Sequence, residues 1–211
     1  MITNDQISAY VNSLLDLCTD ETDSFYFNLV EKGHPVIRRD VAKFLSQIIT
    51  LKQPDKILEI GTNVGYSAII MAKHLINGRI YSIDYRADNH ETARKNFIRF
   101  DVQNKIELLT GYGQEILKYL NDKFDLIFID ADKKGYDAYL DYAAEHLNQG
   151  GIIIADNLYW KGAVISPGEF SEERNITAYL IEFNKKFTAL KGFNSQVLSI
   201  GDGLGFAIKE K

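Results

Sequence analysis

Cysteine is almost absent from this chain: Cys18 is the only one in 211 residues, so no intrachain disulfide supports the fold. Proline is scarce too, with three residues, and no Pro-, Gly- or Ser-rich run, repeat or low-complexity segment marks a linker. Basic residues are in deficit, 24 Lys+Arg against 29 Asp+Glu, a net charge of −5. That balance excludes a surface given over wholly to nucleic acid, which needs a dominant basic face, and leaves room only for a local basic patch. Apolar runs are short and none nears the roughly 20 residues that span a bilayer, which predicts no membrane partner. The start MITNDQISAY lacks the basic region and apolar run of a secretory signal, which predicts a cytoplasmic protein.

What is present is ordinary for a globular chain, 45% hydrophobic and 25% charged, and the length suits one large core. Helical spacing of Ile7, Val11, Leu14 and Leu15, and then of Phe25, Leu29 and Val30, predicts two helices between Asn4 and Gly33. His34-Pro35 breaks the pattern. Val41, Phe44, Leu45, Ile48 and Ile49 predict a third helix over Asp40–Leu51. From Pro54 onward, strand-like runs (KILEI, RIYSID, KIELLT, FDLIFID, GIIIAD) alternate with helical ones (SAIIMAKHL, NHETARKNFIRF, GQEILKYL, YDAYLDYAAEHL). Such alternation predicts an α/β fold, a parallel sheet with helices on both faces. A polar loop over 157–170, a helix over about 172–189, and the runs FNSQVLSI and GLGFAIKE complete the chain. The Gly201-Asp202-Gly203 turn between those runs predicts an antiparallel last strand.

Ligands of open α/β sheets bind beyond the carboxyl ends of the strands. The first end reads LEIGTNVGYSA, where Gly61 and Gly65 let backbone approach a ligand at a helix N-terminus. A dinucleotide fingerprint needs a third glycine where Asn63 stands, so an NAD-dependent oxidoreductase is disfavoured. Glu59 would repel a pyrophosphate and attract a cation, and S-adenosylmethionine offers an ammonium and a sulfonium without phosphate. Asp84 ends the second strand, where a carboxylate can accept from ribose hydroxyls. Strands four and five end in Asp130 and in Asp156-Asn157, hard oxygen donors that suit Mg²⁺, Mn²⁺ or Ca²⁺ and do not suit zinc. Lys133 lies three residues beyond Asp130 near a helix start, where its proton affinity falls and it can act as a general base. Taken singly, these glycines and aspartates are also what tight turns and helix caps use.

LEIGTNVGYSA, the Asp84 strand end, TGYGQEIL, DLIFIDADKKGY and IIIADNLYWKG together resemble the class I O-methyltransferases of the catechol and caffeoyl-CoA type, from about Val36 to Lys211. Within that family the compact length, KQPDKILEIGTNVGYSAIIMA, the DN-x-x-x-KG-x-V loop and IGDGLGFAIKEK resemble small bacterial tRNA 5-hydroxyuridine methyltransferases. The resemblance implies a Rossmann-like methyltransferase fold with a mostly parallel seven-stranded sheet and an antiparallel last strand. It implies a single methyltransferase domain over 1–211, with a helical N-terminal extension over 1–52 and the Rossmann-like core over 53–211. It further implies that Val36, Glu59, Gly61, Asn63 and Ser67 line the methionine and ribose side of S-adenosylmethionine. Asp84 would hold the ribose, and Gly113 and Gln114 would border the adenine. Asp130, Asp156 and Asn157 would bind Mg²⁺ or another divalent cation, with Asp130 also touching the cofactor and sharing the catalytic role with Lys133. Two departures stand out: HPVIRRD lacks the small-residue pattern of plant members, and Gly113 replaces a frequent serine or alanine.

The function expected is therefore a Mg²⁺-dependent O-methyltransferase acting on 5-hydroxyuridine in tRNA to give 5-methoxyuridine, with a small catechol or hydroxycinnamoyl-type phenol as the alternative substrate. A non-catalytic S-adenosylmethionine-binding module is the reading from another class. For tRNA, Arg38, Arg39, Lys43, Lys161 and Arg174 are the candidate phosphate contacts. Tyr159 and Trp160 either stack on a planar substrate or pin their loop. His34, His74, His90 and His146 lack metal-ligand spacing and are expected on helix or turn surfaces. The family resemblance implies a homodimer, for which Phe25, Tyr26 and Phe27 are the candidate interface.

Overall fold

The structure, a computed structural model, describes residues 4–166 and 174–211, without the side chains of Asn4, Asp5, Ser8, Cys18 and Arg174. Three helices precede the first strand: α1 (Asn4–Leu15), α2 (Glu21–Glu31) and α3 (Arg39–Lys52). Asp20 and Asp23 start α2 with a reciprocal capping box, and α3 stops at Gln53, which turns left-handed at φ 44° before Pro54. Then β1 (Lys56–Ile60), α4 (Tyr66–His74), β2 (Arg79–Asp84), α5 (Ala87–Arg99) and β3 (Ile106–Thr110) build one side of the sheet. The other side comes from α6 (Gly113–Ile116), β4 (Phe124–Ile129), α7 (Tyr136–His146), β5 (Leu147–Ala155), α8 (Arg174–Thr188), β6 (Phe193–Leu198) and β7 (Leu204–Lys209).

The seven strands run in the order β3-β2-β1-β4-β5-β7-β6, and β7 is antiparallel to both of its neighbours. This is the largely parallel, helix-covered sheet expected from the alternation, and the Rossmann-like architecture with antiparallel last strand that the resemblance implies. Strand residues alternate between two cores because successive side chains leave a strand on opposite faces. Ile57, Leu126, Phe128, Ile152 and Ile154 meet α2, α3, α4 and α5 on one face; Leu58, Ile60, Ile127, Ile129 and Ile153 meet α7 and α8 on the other. Val41, Leu45 and Ile49 of α3 are fully buried in the first core, so α3 is packed into the sheet's own helical layer.

Element boundaries depart from expectation in two places. The run GQEILKYL forms a helix only over Gly113–Ile116, and β5 begins earlier than expected, at Leu147. Part of the expected 157–170 loop and the expected first residues of the last helix lie outside the described residues. Among the described residues, no helix is long and apolar enough to cross a membrane.

Because β2 and β3 lie on one side of β1 while β4 lies on the other, the crossovers reverse between β1 and β4. A crevice opens at the carboxyl ends of strands at such a point.

Candidate active site

A cleft of about 290 Å³ occupies that crevice. Its wall contains Val36, Gly61, Asn63, Ser67, Asp84, Gly113, Asp130, Asp156 and Asn157, nine residues that sequence reasoning assigned to one site. The strand ladder explains their convergence. Asp130 N–H donates to Ile60 O at 3.0 Å and Asp156 N–H to Ile129 O at 3.0 Å, so the two aspartates continue adjacent rungs. Gly61 sits at φ 113°, and a Cβ there would lie 2.0 Å from the Asp130 carbonyl oxygen. Only glycine lets β1 leave the sheet that close to β4.

On the β1–β2 side, Asn63 N–H donates to Asp84 Oδ2 at 2.7 Å, Asn89 Nδ2 to the same oxygen at 3.1 Å, and Arg86 N–H to Oδ1 at 2.9 Å. These bonds orient the carboxylate at the cleft wall and leave lone pairs on Oδ1 for a ribose. Glu59 is placed differently from expectation. It faces the α4 side of β1, is 0% exposed and lies beneath the cleft, with both oxygens taken by Ser67 and Ser82 hydroxyls. Ser67 is the group that lines the cleft and Glu59 acts through it. Burial pushes the Glu59 carboxyl up to about 7, against the opposing pull of the two serine hydrogen bonds.

On the adenine side, Gly113 lines the cleft while Gln114 is exposed and is not part of the wall. A Cβ on Gly113 would lie 2.9 Å from the Tyr139 ring, so the departure from serine or alanine makes room for that ring. Tyr139 is in turn fixed by donating to Asp132 Oδ1 at 2.8 Å. Tyr85 and Tyr112, which sequence reasoning missed, stack at 5.1 Å between centroids and 6° between planes on the cleft wall.

The β4–β5 corner holds the polar chemistry. Lys133 is 8% exposed, and its Nζ donates to the Tyr136 hydroxyl and lies 3.5 Å from Asp156 O and 3.4 Å from Asn157 Oδ1. The ammonium also sits over the Tyr136 ring at 4.1 Å and the Trp160 ring at 5.9 Å. Burial lowers the lysine's proton affinity, and Asp130 and Asp156 oppose that shift. Asp130 and Asp156 move up, chiefly by burial, and Asp130 adds to the rise at Asp156. Asp202, on the turn between β6 and β7, is a further carboxylate in this field, felt by both Lys133 and Asp156. In the sequence that residue had only the signal of a turn.

Two carboxylates, Asp156 buried and Asp130 half-buried, and an amide oxygen beside one lysine make an oxygen-rich acidic corner, which fits a hard divalent cation. Among the described residues no group of three or more His, Cys, Asp or Glu side chains is placed to hold a metal, so Asn157 and non-protein oxygens would complete the set. The cofactor fit is equally specific: a serine backed by a buried carboxylate, an oriented Asp84, and glycines at both loops.

Other expectations are corrected. Arg39 is 6% exposed and points into the N-terminal helices, where Asp16 and Asp23 hold it. Lys43 lines a separate pocket between α1, α2, α3 and α4. Of the basic candidates whose side chains are described, only Arg38 lines the cleft, and Lys161 is exposed; the side chains of Arg174 and Cys18 lie outside the described residues. His90 is 2% exposed, contrary to a surface position. Phe25 is buried against Tyr66 and Phe100 and is no interface residue. Tyr159 and Trp160 anchor their loop: the Tyr159 hydroxyl lies 3.0 Å from Ser199 Oγ, and Trp160 packs on the core beneath it.

Known proteins resemble this chain over most of its length. The family described as O-methyltransferase matches residues 5–210. A catechol O-methyltransferase of Niastella koreensis is 32% identical over 200 residues, covering 92% of this chain and 87% of that protein. A caffeoyl-CoA O-methyltransferase of Eucalyptus globulus is 30% identical over 174 residues, covering 78% of this chain and 71% of that one. The solved structure of an O-methyltransferase from Bacillus cereus in complex with SAH superposes with a TM-score of 0.81 at 27% identity, covering 97% of each chain.

Proposed function

We propose, from the premise that the chain belongs to the O-methyltransferase family and is an S-adenosylmethionine-dependent enzyme of the catechol and caffeoyl-CoA type, that it methylates one of two adjacent hydroxyls on a small aromatic substrate. The observation that carries the reading is the burial of Lys133 Nζ beside Asn157 and in the field of Asp130 and Asp156, directly behind three residues that line the same cleft as Asp84. Ser67, Gly61 and Asn63 would hold the amino-acid end of the cofactor, Asp84 the ribose, and Gly113 the adenine.

Asp130, Asp156 and Asn157 would hold a divalent cation such as Mg²⁺, which when bound supplies charge that acidifies a phenolic hydroxyl and fixes its oxygen. Lys133 takes the hydroxyl proton on Nζ, since burial has already weakened its hold on a proton of its own. Tyr136 keeps Nζ in place by accepting from it while donating to Asp156 O at 2.9 Å. S-adenosylmethionine, when bound, would supply the electrophilic methyl that the phenolate oxygen takes, giving a methyl ether and S-adenosylhomocysteine.

The names of the relatives favour the small-phenol substrate over 5-hydroxyuridine in tRNA. Among the described residues Arg39 is held by Asp16 and Asp23 and Lys43 lines a separate pocket, so Arg38 is the one described candidate on the cleft wall and the small phenol is the simpler substrate. A homodimer remains part of the proposal, using the exposed α1 face of Ile7, Val11 and Leu14 together with Phe27. The deciding experiment is incubation with methyl-labelled S-adenosylmethionine, Mg²⁺ and either a catechol panel or undermodified tRNA; label in the phenol carries the proposal, and label in tRNA alone overturns it.

A further inference from the structure

Under the cleft runs a chain of polar side chains that methyl transfer does not use. Ser82 of β2 donates to Glu59; Thr62 Oγ1 lies 2.6 Å from Ser82 Oγ and 3.3 Å from His90 Nε2; His90 Nδ1 lies 2.8 Å from Thr110 Oγ1. Glu59, Thr62, Ser82 and His90 are 0%, 1%, 0% and 2% exposed. Thr62 belongs to the β1–α4 loop, and Thr110 is the last residue of β3, immediately before Gly111, Tyr112 and Gly113. Both loops line the cleft, at opposite ends of the proposed cofactor position.

Proton counting sets the direction of every bond, because each hydroxyl has one proton to give. In its ionised form, above about pH 7, Glu59 only accepts, so Ser67 and Ser82 donate to it. With that proton committed, Ser82 accepts from Thr62, and Thr62 in turn accepts from His90 Nε2–H. The neutral imidazole then presents Nδ1 as an acceptor, which the Thr110 hydroxyl fills. Burial lowers the pKa of His90 and keeps it neutral; of the charged groups facing it, Arg94 acts the same way and Asp84 opposes.

We propose that His90 is a positioning residue that, through Thr110–His90–Thr62–Ser82–Glu59, locks the loop holding the amino-acid end of S-adenosylmethionine to the loop holding its adenine end. The proposal rests on the cofactor placement given above. Its physical basis is that a buried polar chain is stable only when complete: removing the ring leaves the Thr62 hydroxyl without its donor at a site closed to water. Thr62 adjoins Asn63, whose N–H holds Asp84, so the disturbance reaches the ribose carboxylate as well.

The test is calorimetric titration of S-adenosylhomocysteine into the whole protein carrying Ser82→Ala, Thr110→Val or both, repeated with His90→Phe. Effects of unconnected sites on Kd multiply to within about twofold. The chain requires a departure of about fivefold or more in the parent background and its disappearance with His90→Phe. His90→Gln, which retains one donor and one acceptor, should restore most of the affinity that His90→Phe loses, whereas a ring kept only for packing would show the opposite order. Long-range ¹H–¹⁵N spectra of the imidazoles, recorded above about pH 7 where Glu59 is ionised, should find His90 as the Nε2–H tautomer in the complex. An Nδ1–H tautomer, or effects that simply multiply in the parent background, overturns the proposal. If His90→Phe does not fold, the Ser82–Thr110 pair and the tautomer decide. Absence of S-adenosylhomocysteine binding by the parent would remove the cofactor placement and the proposal with it; normal binding with multiplying effects removes the proposal alone.

Discussion

The carboxylate of Asp202 accepts the backbone N–H of Lys161 with both oxygens, each at 2.8 Å. This couples the β6–β7 turn to the loop that follows Asp156 and Asn157, a loop holding Asn157, Trp160 and Lys161 at φ 60°, 50° and 54°. Three non-glycine residues in the left-handed region carry strain that the surroundings must offset.

Asp202→Ala is therefore expected to loosen the Asn157 ligand position. A hydrogen bond to a charged group is worth about 1.5–3 kcal/mol, so kcat/KM for the phenol should fall about 10- to 100-fold with S-adenosylhomocysteine affinity preserved. Steady-state kinetics beside calorimetry checks this, and an unchanged kcat/KM would show that the loop holds itself.

Lys133→Met should lower kcat by about 10²–10⁴ while leaving S-adenosylhomocysteine binding intact. Lys133 must be neutral to accept a proton and burial lowers its pKa, so parent kcat should rise with pH through a value below that of an ordinary lysine. The variant should lose that rise and recover part of its rate only where the phenol ionises unaided. Chelation with EDTA should abolish turnover in the parent and Mg²⁺ should restore it; full activity in EDTA would refute the metal assignment.

Glu59 links stability to pH. Its carboxyl titrates near 4.5 in the unfolded chain and at about 7 in the fold, so the unfolded state ionises first. The protonated, buried form favours folding below pH 4.5, and that advantage is lost as pH rises to about 7, amounting to about 3 kcal/mol over the window. Denaturant unfolding of the cofactor-free protein should show Glu59→Gln gaining on the parent by roughly that amount between the two pH values. A difference that does not change with pH would place the titration elsewhere.

For the substrate, Arg38→Glu and added salt should leave turnover of a small catechol nearly unchanged, because an uncharged phenol neutralises no phosphate and releases no counterions. A steep rise of KM for tRNA under the same two changes, with methylation of 5-hydroxyuridine, would restore the tRNA reading.

The order of strands and helices was legible in the sequence because buried parallel strands read as short apolar runs and their covering helices as periodic ones. So were Asp84, Asp130, Asp156 and Asn157, since residues that end a parallel strand or directly follow it land in the crevice. Depth and partnership were not legible. Glu59 reads as a wall residue, yet its parity on β1 turns it toward α4 and under the floor. Arg39 reads as a companion of Arg38, but one residue along a helix is about 100° of rotation, enough to send it to Asp16 and Asp23.

The sequence by itself determined the fold class, which strand ends bring polar residues to the crevice and the residue types that suit a cationic nucleoside and a hard metal, because these follow from periodicity, spacing and side-chain chemistry. Only the tertiary structure decided that Lys133 is buried against Tyr136, that Asp202 returns from the far hairpin to hold Lys161, that Tyr139 requires Gly113, and that His90 ties two loops together. Those relations join residues distant in the chain, and burial, hydrogen-bond partner and proton affinity are properties of such neighbours more than of the residue itself.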